Sequence, residues 1–286
     1  MPDRIDRTDD VPTLSTEERD RRWADVRGRM IQRNLDALVL WSNDRFWGMA
    51  RANLKYLTHV AGTQGNAIGI FPLHGDPVVF ADFHMLHNPY SVYDVYQDWV
   101  EDVRTFEGLG TIVDEIKEMG LSEGNIGLVS YKTMLSEANL PHTHLNTLKR
   151  KIPDASFEDA TDLLNQARQI KSDEEIEMLR RAGEIARSML DAFMAAEPGI
   201  TEAEVYADMA RAQIANGGEA YIFNFFDSGD PLSPSRQHLL HGKPQPLAPT
   251  QRTLQSGDLL KTEFHANYGG YLVAVEKGIV LEEAPP

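Results

Sequence analysis

Through the first half of the chain, short apolar runs alternate with stretches whose apolar residues recur at helical spacing. No other feature limits the fold as much. Residues 35–41 are apolar and bounded by turn formers, as a buried strand is. Residues 67–71 and 77–81 are two more such runs, split by His74-Gly75-Asp76, which predicts a hairpin with a glycine in its turn. Residues 111–119 and 145–152 have helical periodicity, and residues 125–130 between them read as a strand. Ahead of all these, Ser15-Thr16-Glu17-Glu18 is a capping-box pattern, followed by Trp23, Val26 and Met30 on one helical stripe. Strands interleaved with helices over roughly 150 residues predict one α/β domain.

The second half reads differently. Ser172-Asp173-Glu174-Glu175 opens a long helix whose apolar face is expected at Ile176, Leu179, Gly183, Ala186, Leu190 and Phe193, with Pro198-Gly199 as its stop. Thr201 caps a second helix carrying Val205, Met209 and Ala212, which leaves at Gly217-Gly218. From Tyr221 onward the chain is β-like and turn-rich, and Gly269-Gly270 is a turn that accepts positive φ. The expected division is a flexible arm over 1–14, an α/β domain over 15–165 and a second domain over 166–286.

Composition narrows the function classes. Of 286 residues, 42% are hydrophobic and 25% charged, which argues against general disorder. The absence of cysteine removes a disulfide framework, a thiolate zinc site and a cysteine nucleophile. A formal charge of −16 repels a polyanion, so no nucleic-acid partner is expected. Apolar runs of about 18 residues are missing, so no membrane span is expected. The polar start, Met1 to Asp10, does not read as a signal peptide, and a cytoplasmic location is the expectation. Neither a glycine-rich nucleotide loop nor a Ser/His/Asp order supports another enzyme class.

Several local patterns then agree. Arg51-Ala52-Asn53-Leu54-Lys55-Tyr56-Leu57-Thr58 resembles the stretch ending in Tyr-Leu-Thr in the amino-terminal domain of creatinase-like proteins. Gln169-Ile170-Lys171-Ser172-Asp173-Glu174-Glu175-Ile176 is similar to the segment that opens the catalytic domain of aminopeptidase P and prolidase. Asp227-Ser228-Gly229, His241-Gly242-Lys243-Pro244 and Gly257-Asp258-Leu259 follow in that family's order. The chain thus resembles the creatinase / aminopeptidase P / prolidase family. The resemblance implies a creatinase-like α/β amino-terminal domain followed by an incomplete "pita-bread" carboxy-terminal domain. It also implies a possible homodimer and a small-molecule or peptide substrate.

Relatives of this kind hold two divalent metal ions (Mn, Co, Zn or Fe) with two Asp, one His and two Glu. Two such ions clamp a bridging hydroxide, lower its pKa and polarise the scissile carbonyl. The resemblance maps the first Asp position to Glu263 and the second to Ala274, whose methyl cannot ligate. The remaining ligands would follow Pro286, so no metal cofactor is expected in this chain as given. His241 matches the family histidine that contacts substrate or oxyanion and is the candidate catalytic residue. Phe225, in the aromatic run Tyr221, Phe223, Phe225 and Phe226, is the candidate substrate contact.

Three readings follow. The first is a peptidase- or creatinase-like protein whose ancestral reaction hydrolyses a C–N bond in a small peptide, amino-acid or guanidino derivative, inactive as a metal enzyme in this truncated form. The others are a catalytically dead binding module and a metal-free creatinase-like amidinohydrolase using His241. Three further histidine groups invite metal readings: His238 with His241, His84 and His87 with Asp82, and His142 with His144. None has the spacing of a structural zinc site, and each reads more simply as loop.

Overall fold

A computed structural model describes residues 11–43, 49–60, 66–83, 97–130, 140–219, 223–229, 239–240, 243–244 and 248–282. The chain folds as two units, Met1–Glu174 and Glu175–Pro286.

The first unit is built on a mixed sheet. Its strands are β1 (Ala37–Ser42), β2 (Ala67–Pro72), β3 (Val78–Ala81), β4 (Asp102–Thr105), β5 (Asn125–Val129) and β6 (Ser156–Asp159), in the order β4-β3-β2-β1-β5-β6. β1 runs antiparallel to β2 and parallel to β5, with Leu38 opposite both Phe71 and Gly127. β2 and β3 form the expected hairpin, and Gly75 in their turn has φ 93°. Every residue of β1, β2 and β3 is buried, as strands covered on both faces are. One face packs under α3 (Leu109–Glu118) and α4 (His142–Lys151), where Ile112, Ile116 and Leu148 meet Val39, Ile70 and Phe80. Each such fully buried aliphatic side chain contributes about 1.5–3 kcal/mol through lost apolar exposure. The helices α1 (Thr16–Gln32), α2 (Ala52–Thr58) and α5 (Thr161–Ala167) complete the unit.

The start of α1 departs from the expected capping box. Ser15 Oγ does accept from Glu18 N at 3.1 Å, but the Glu18 carboxylate turns away to Arg21 and Arg22. Glu174, far along the chain, takes its place, accepting from Ser15 N at 2.8 Å and Ser15 Oγ at 2.6 Å. A tertiary carboxylate therefore does what the local one was expected to do. His142 and His144 are corrected too: both lie in the first turn of α4 rather than in a loop.

The second unit pairs α6 (Asp173–Met194) and α7 (Glu202–Ala215) with an antiparallel sheet ordered β11-β10-β7. These strands are β7 (Phe223–Gly229), β10 (Leu259–Tyr268) and β11 (Tyr271–Val280); the short β8 (Leu239–Leu240) and β9 (Lys243–Pro244) pair separately. Thr201 caps α7 with a complete capping box, its N–H donating to Glu204 Oε2 at 2.7 Å while its Oγ1 accepts from Glu204 N at 3.2 Å. The buried face of α6 is rotated from the expected one. It runs through Ala182, Ile185, Ala186, Met189 and Phe193, while Ile176 is 38% exposed. Glu175, at the start of the helix, lies on this face: it is buried and accepts from the Tyr271 hydroxyl at 3.0 Å. Gly269 and Gly270 close the β10–β11 hairpin with φ 59° and 87°, the expected turn. Among the described residues no helix is long and apolar enough to cross a membrane.

Candidate functional site

The sheet of the second unit has two unlike faces because successive strand side chains point opposite ways. On β10 the even-numbered residues Leu260, Thr262, Phe264 and Ala266 are buried, and Leu260, Phe264 and Ala266 join the core with Phe226 of β7 and Phe193 of α6. The odd-numbered residues Lys261, Glu263 and His265 are more open and define the other face. There the register sets Glu263 between Phe225 of β7 and Glu276 of β11. A pocket of about 680 Å³ lies on this face, lined by Phe225, Asp227, Lys261, Glu263 and Glu276 among others.

The electrostatics of the pocket are mixed. Lys261 Nζ stands 3.5 Å from Asp227 Oδ2 across the strands. Glu263 and Glu276 face each other directly, an arrangement of like charges that disfavours pairing unless something offsets it. Glu263 has one such offset, since its Oε1 is 3.7 Å from His265 Nε2. The His265 side chain is only 13% exposed. Burial pushes its imidazole below the ordinary range, and Glu263 recovers part of that shift.

Two sequence candidates, Phe225 and Glu263, thus meet in one pocket. Ala274 sits on β11 opposite His265, beside that pair. His241, with His238, His84 and His87, lies outside the described residues. Asp82 accepts from Asn66 N at 2.7 Å at the end of β3. His142 engages Asn146 one turn along α4, and His144 packs its ring 6.0 Å from that of Trp41. Sequence reasoning passed over His265 and Glu276. The signal was present, because Glu263 and His265 are two apart in a strand and must share a face. Glu276 needed the hairpin register, which Gly269-Gly270 sets from one turn.

Fold and face together define a two-unit α/β protein with a pocket on the open side of its carboxy-terminal sheet. Residues 22–170 match the family model described as Creatinase/Prolidase N-terminal domain, and residues 177–286 match Metallopeptidase family M24. The chain belongs to the creatinase / aminopeptidase P / prolidase family. It is 27% identical over 192 residues to the Xaa-Pro dipeptidase of Pyrococcus horikoshii, covering 62% of this chain and 52% of that one. It is 25% identical over 289 aligned positions to the creatinase of Bacillus sp. (strain B-0618), covering 95% of this chain and 62% of that one. The solved X-Pro aminopeptidase of Thermotoga maritima superposes with a TM-score of 0.68 at 19% identity, over 92% of this chain and 66% of the other. Across the curated relatives it matches, this chain spans between 27% and 64% of their length.

The family's two-metal arrangement can now be tested against this face. The resemblance maps its first position to Glu263, whose Oε1 is 3.7 Å from His265 Nε2, and its second to Ala274, which has no lone pair to offer. Among the described residues no three His, Asp or Glu side chains converge as a metal site. The donor set on this face does not fit two ions.

Proposed function

We propose that this chain is a hydrolase of C–N bonds in small peptides or in amino-acid and guanidino derivatives, and that it works without a two-metal step on this face. The observation that carries the reading is the β10–β11 register. It brings Ala274 opposite His265, so of the two positions that the resemblance maps to Asp, one carries a methyl and the other, Glu263, has its carboxylate 3.7 Å from an imidazole. The pocket supports a zwitterionic substrate of this class. Asp227, Glu263 and Glu276 supply acceptors for a cationic group, Lys261 supplies a donor for a carboxylate, and Phe225 supplies apolar wall. His241 is proposed as the acid–base group on the strength of its His-Gly-Lys-Pro motif.

The test is turnover of a panel of Xaa-Pro dipeptides and creatine-like guanidino compounds, with and without chelator, by the wild-type chain and His241→Ala. Hydrolysis that survives chelator and disappears in the variant is expected. Hydrolysis that requires added Mn or Co overturns the reading. Ala274 also favours a second reading, a binding module without turnover. Saturable binding of a panel compound with no product release would establish it instead.

A further inference from the structure

We propose that His59 is an acid-sensitive latch: its neutral ring, stacked on Trp99, holds residues 97–100 and the Leu14 carbonyl in place. A proton on that ring lets this segment open while the sheet of the amino-terminal unit stays folded.

The latch is built from three pieces of chain. Helix α2 ends on His59, whose φ of 57° is in the left-handed region. The ring is buried and lies parallel to that of Trp99, with centroids 3.8 Å apart and an interplanar angle of 24°. Trp99 is 2% exposed, and its Nε1 donates to the Leu14 carbonyl at 3.1 Å. The backbone around Trp99 is held by Gln97, whose Oε1 accepts from Trp99 N and from Val100 N, each at 2.7 Å. Removing the His59 stack therefore loosens one side of a small structure that joins the start of the chain to residues 97–100.

The charges around the ring make it a poor host for a proton. From α1, the Arg22 guanidinium lies 5.2 Å from the Trp99 ring, and Arg21 stands beside it on the same Glu18. From α2 comes Lys55, and from the Trp99 segment come Asp98 and Glu101, both exposed. Glu18, the buried carboxylate of this cluster, is already engaged by both guanidiniums. Burial first, then Lys55 and Arg22, hold the imidazole well below its ordinary range. The ring is therefore neutral when closed and takes a proton at the ordinary value when hydrated in the open form. Nothing changes above about pH 6.5, and each unit below it favours the open form by up to about tenfold. The buried cluster on one face of the sheet, around Val39, Ile70 and Ile126, includes neither ring.

The test is hydrogen exchange of the full chain at pH 7.5 and 5.0, corrected for intrinsic rates, in wild type and His59→Asn. Asn tolerates the left-handed backbone and does not titrate in this range. The expected result is protection at residues 97–100 falling about tenfold or more in wild type at pH 5.0, while β1 and β5 keep theirs. In His59→Asn the protection of that segment should be lower and no longer depend on pH. Three results would overturn the latch: no pH dependence in wild type, equal dependence in the variant, or loss of protection throughout the sheet. An imidazole Cε1–H resonance for His59 that titrates at the ordinary value in the closed form would also do so.

Discussion

Arg22 Nε donates to Glu18 Oε1 at 2.7 Å, and the two side chains are only 1% and 3% exposed. One turn of α1 separates them, so the helix presents both inward at once. Arg22 then spends its remaining donors and its flat face locally. Its Nη1 donates to the Tyr56 carbonyl at 3.0 Å, and its guanidinium lies 4.2 Å over the Tyr56 ring. A charge this well enclosed is tolerable only while its partner is present. Arg22→Ala, which takes from the buried Glu18 carboxylate one of its two guanidinium partners and leaves Arg21, should therefore cost about 1–3 kcal/mol. Arg22→Met combined with Glu18→Leu should cost much less. Urea denaturation of the three proteins checks this, and a mild Arg22→Ala would refute it.

Glu18 adds a pH dependence of known sign. Burial alone would raise its carboxyl, yet hydrogen bonds from Arg21 and Arg22 outweigh that and hold it below the ordinary value. A depressed carboxyl contributes stability above its unfolded pKa and loses it as pH falls through the folded one. The chain should therefore lose stability below about pH 4.5, and Glu18→Gln should flatten that limb of the curve. Denaturation midpoints collected from pH 5 to 3 would show it.

Gly127 tests the packing between β1, β5 and the helix that follows β6. A Cβ placed there would stand 2.7 Å from both Ala160 Cβ and Leu38 Cδ2, and 3.1 Å from Leu35 Cδ1. Sheet and helix have no slack to admit it. Gly127→Ala should destabilise by about 1–3 kcal/mol through overpacking, against its usual gain in chain stiffness. A thermal melt no lower than wild type would contradict the prediction.

The sequence made legible what depends on local chemistry. The β2–β3 hairpin followed from His74-Gly75-Asp76, the α7 cap from Thr201, and the β10–β11 turn from Gly269-Gly270. It misled where a distant residue decided the outcome. Glu174 displaced Glu18 from the α1 cap, and Glu175 of α6 is buried with the Tyr271 hydroxyl from another strand as its donor. The site divides the same way. Phe225 and Glu263 were found because a family pattern pointed at them. Glu276 came to light only through a cross-strand register, which no single-strand periodicity contains.

Arg252 closes a polar knot in the second unit. It binds Asp258 with both terminal nitrogens, Nη2 to Oδ1 at 2.8 Å, and its Nη1 reaches Ser228 Oγ at 2.9 Å. Ser228 in turn donates to buried Glu202, which also accepts from Thr250 N at 2.8 Å. The knot ties the start of α7 to the end of β7, one residue beyond the pocket residue Asp227. Arg252→Ala leaves the buried Asp258 carboxylate without its charged donors and should cost about 2–3 kcal/mol. Arg252→Lys should recover only part, because an ammonium cannot make the two-pronged contact. A denaturation series in which Lys fully substitutes for Arg would sink this account.

His265 offers the sharpest reading of the pocket itself. Burial lowers its imidazole and Glu263, 3.7 Å away, pulls it partly back. Glu263→Gln removes the opposing charge and keeps the shape, so His265 should then titrate lower still. Ala274→Asp adds a carboxylate on the adjoining strand, opposite His265 in the register, and should move the ring the other way. Because the folded ring is below its unfolded value, wild type should lose stability as pH falls under about 6.5, and Glu263→Gln should lose more. The Cε1–H resonance of His265, followed from pH 8 to 4.5 in the three proteins, reads the order directly. If Glu263→Gln leaves the titration where it was, the carboxylate and imidazole do not act as a pair, and the proposed reading of this face loses its support.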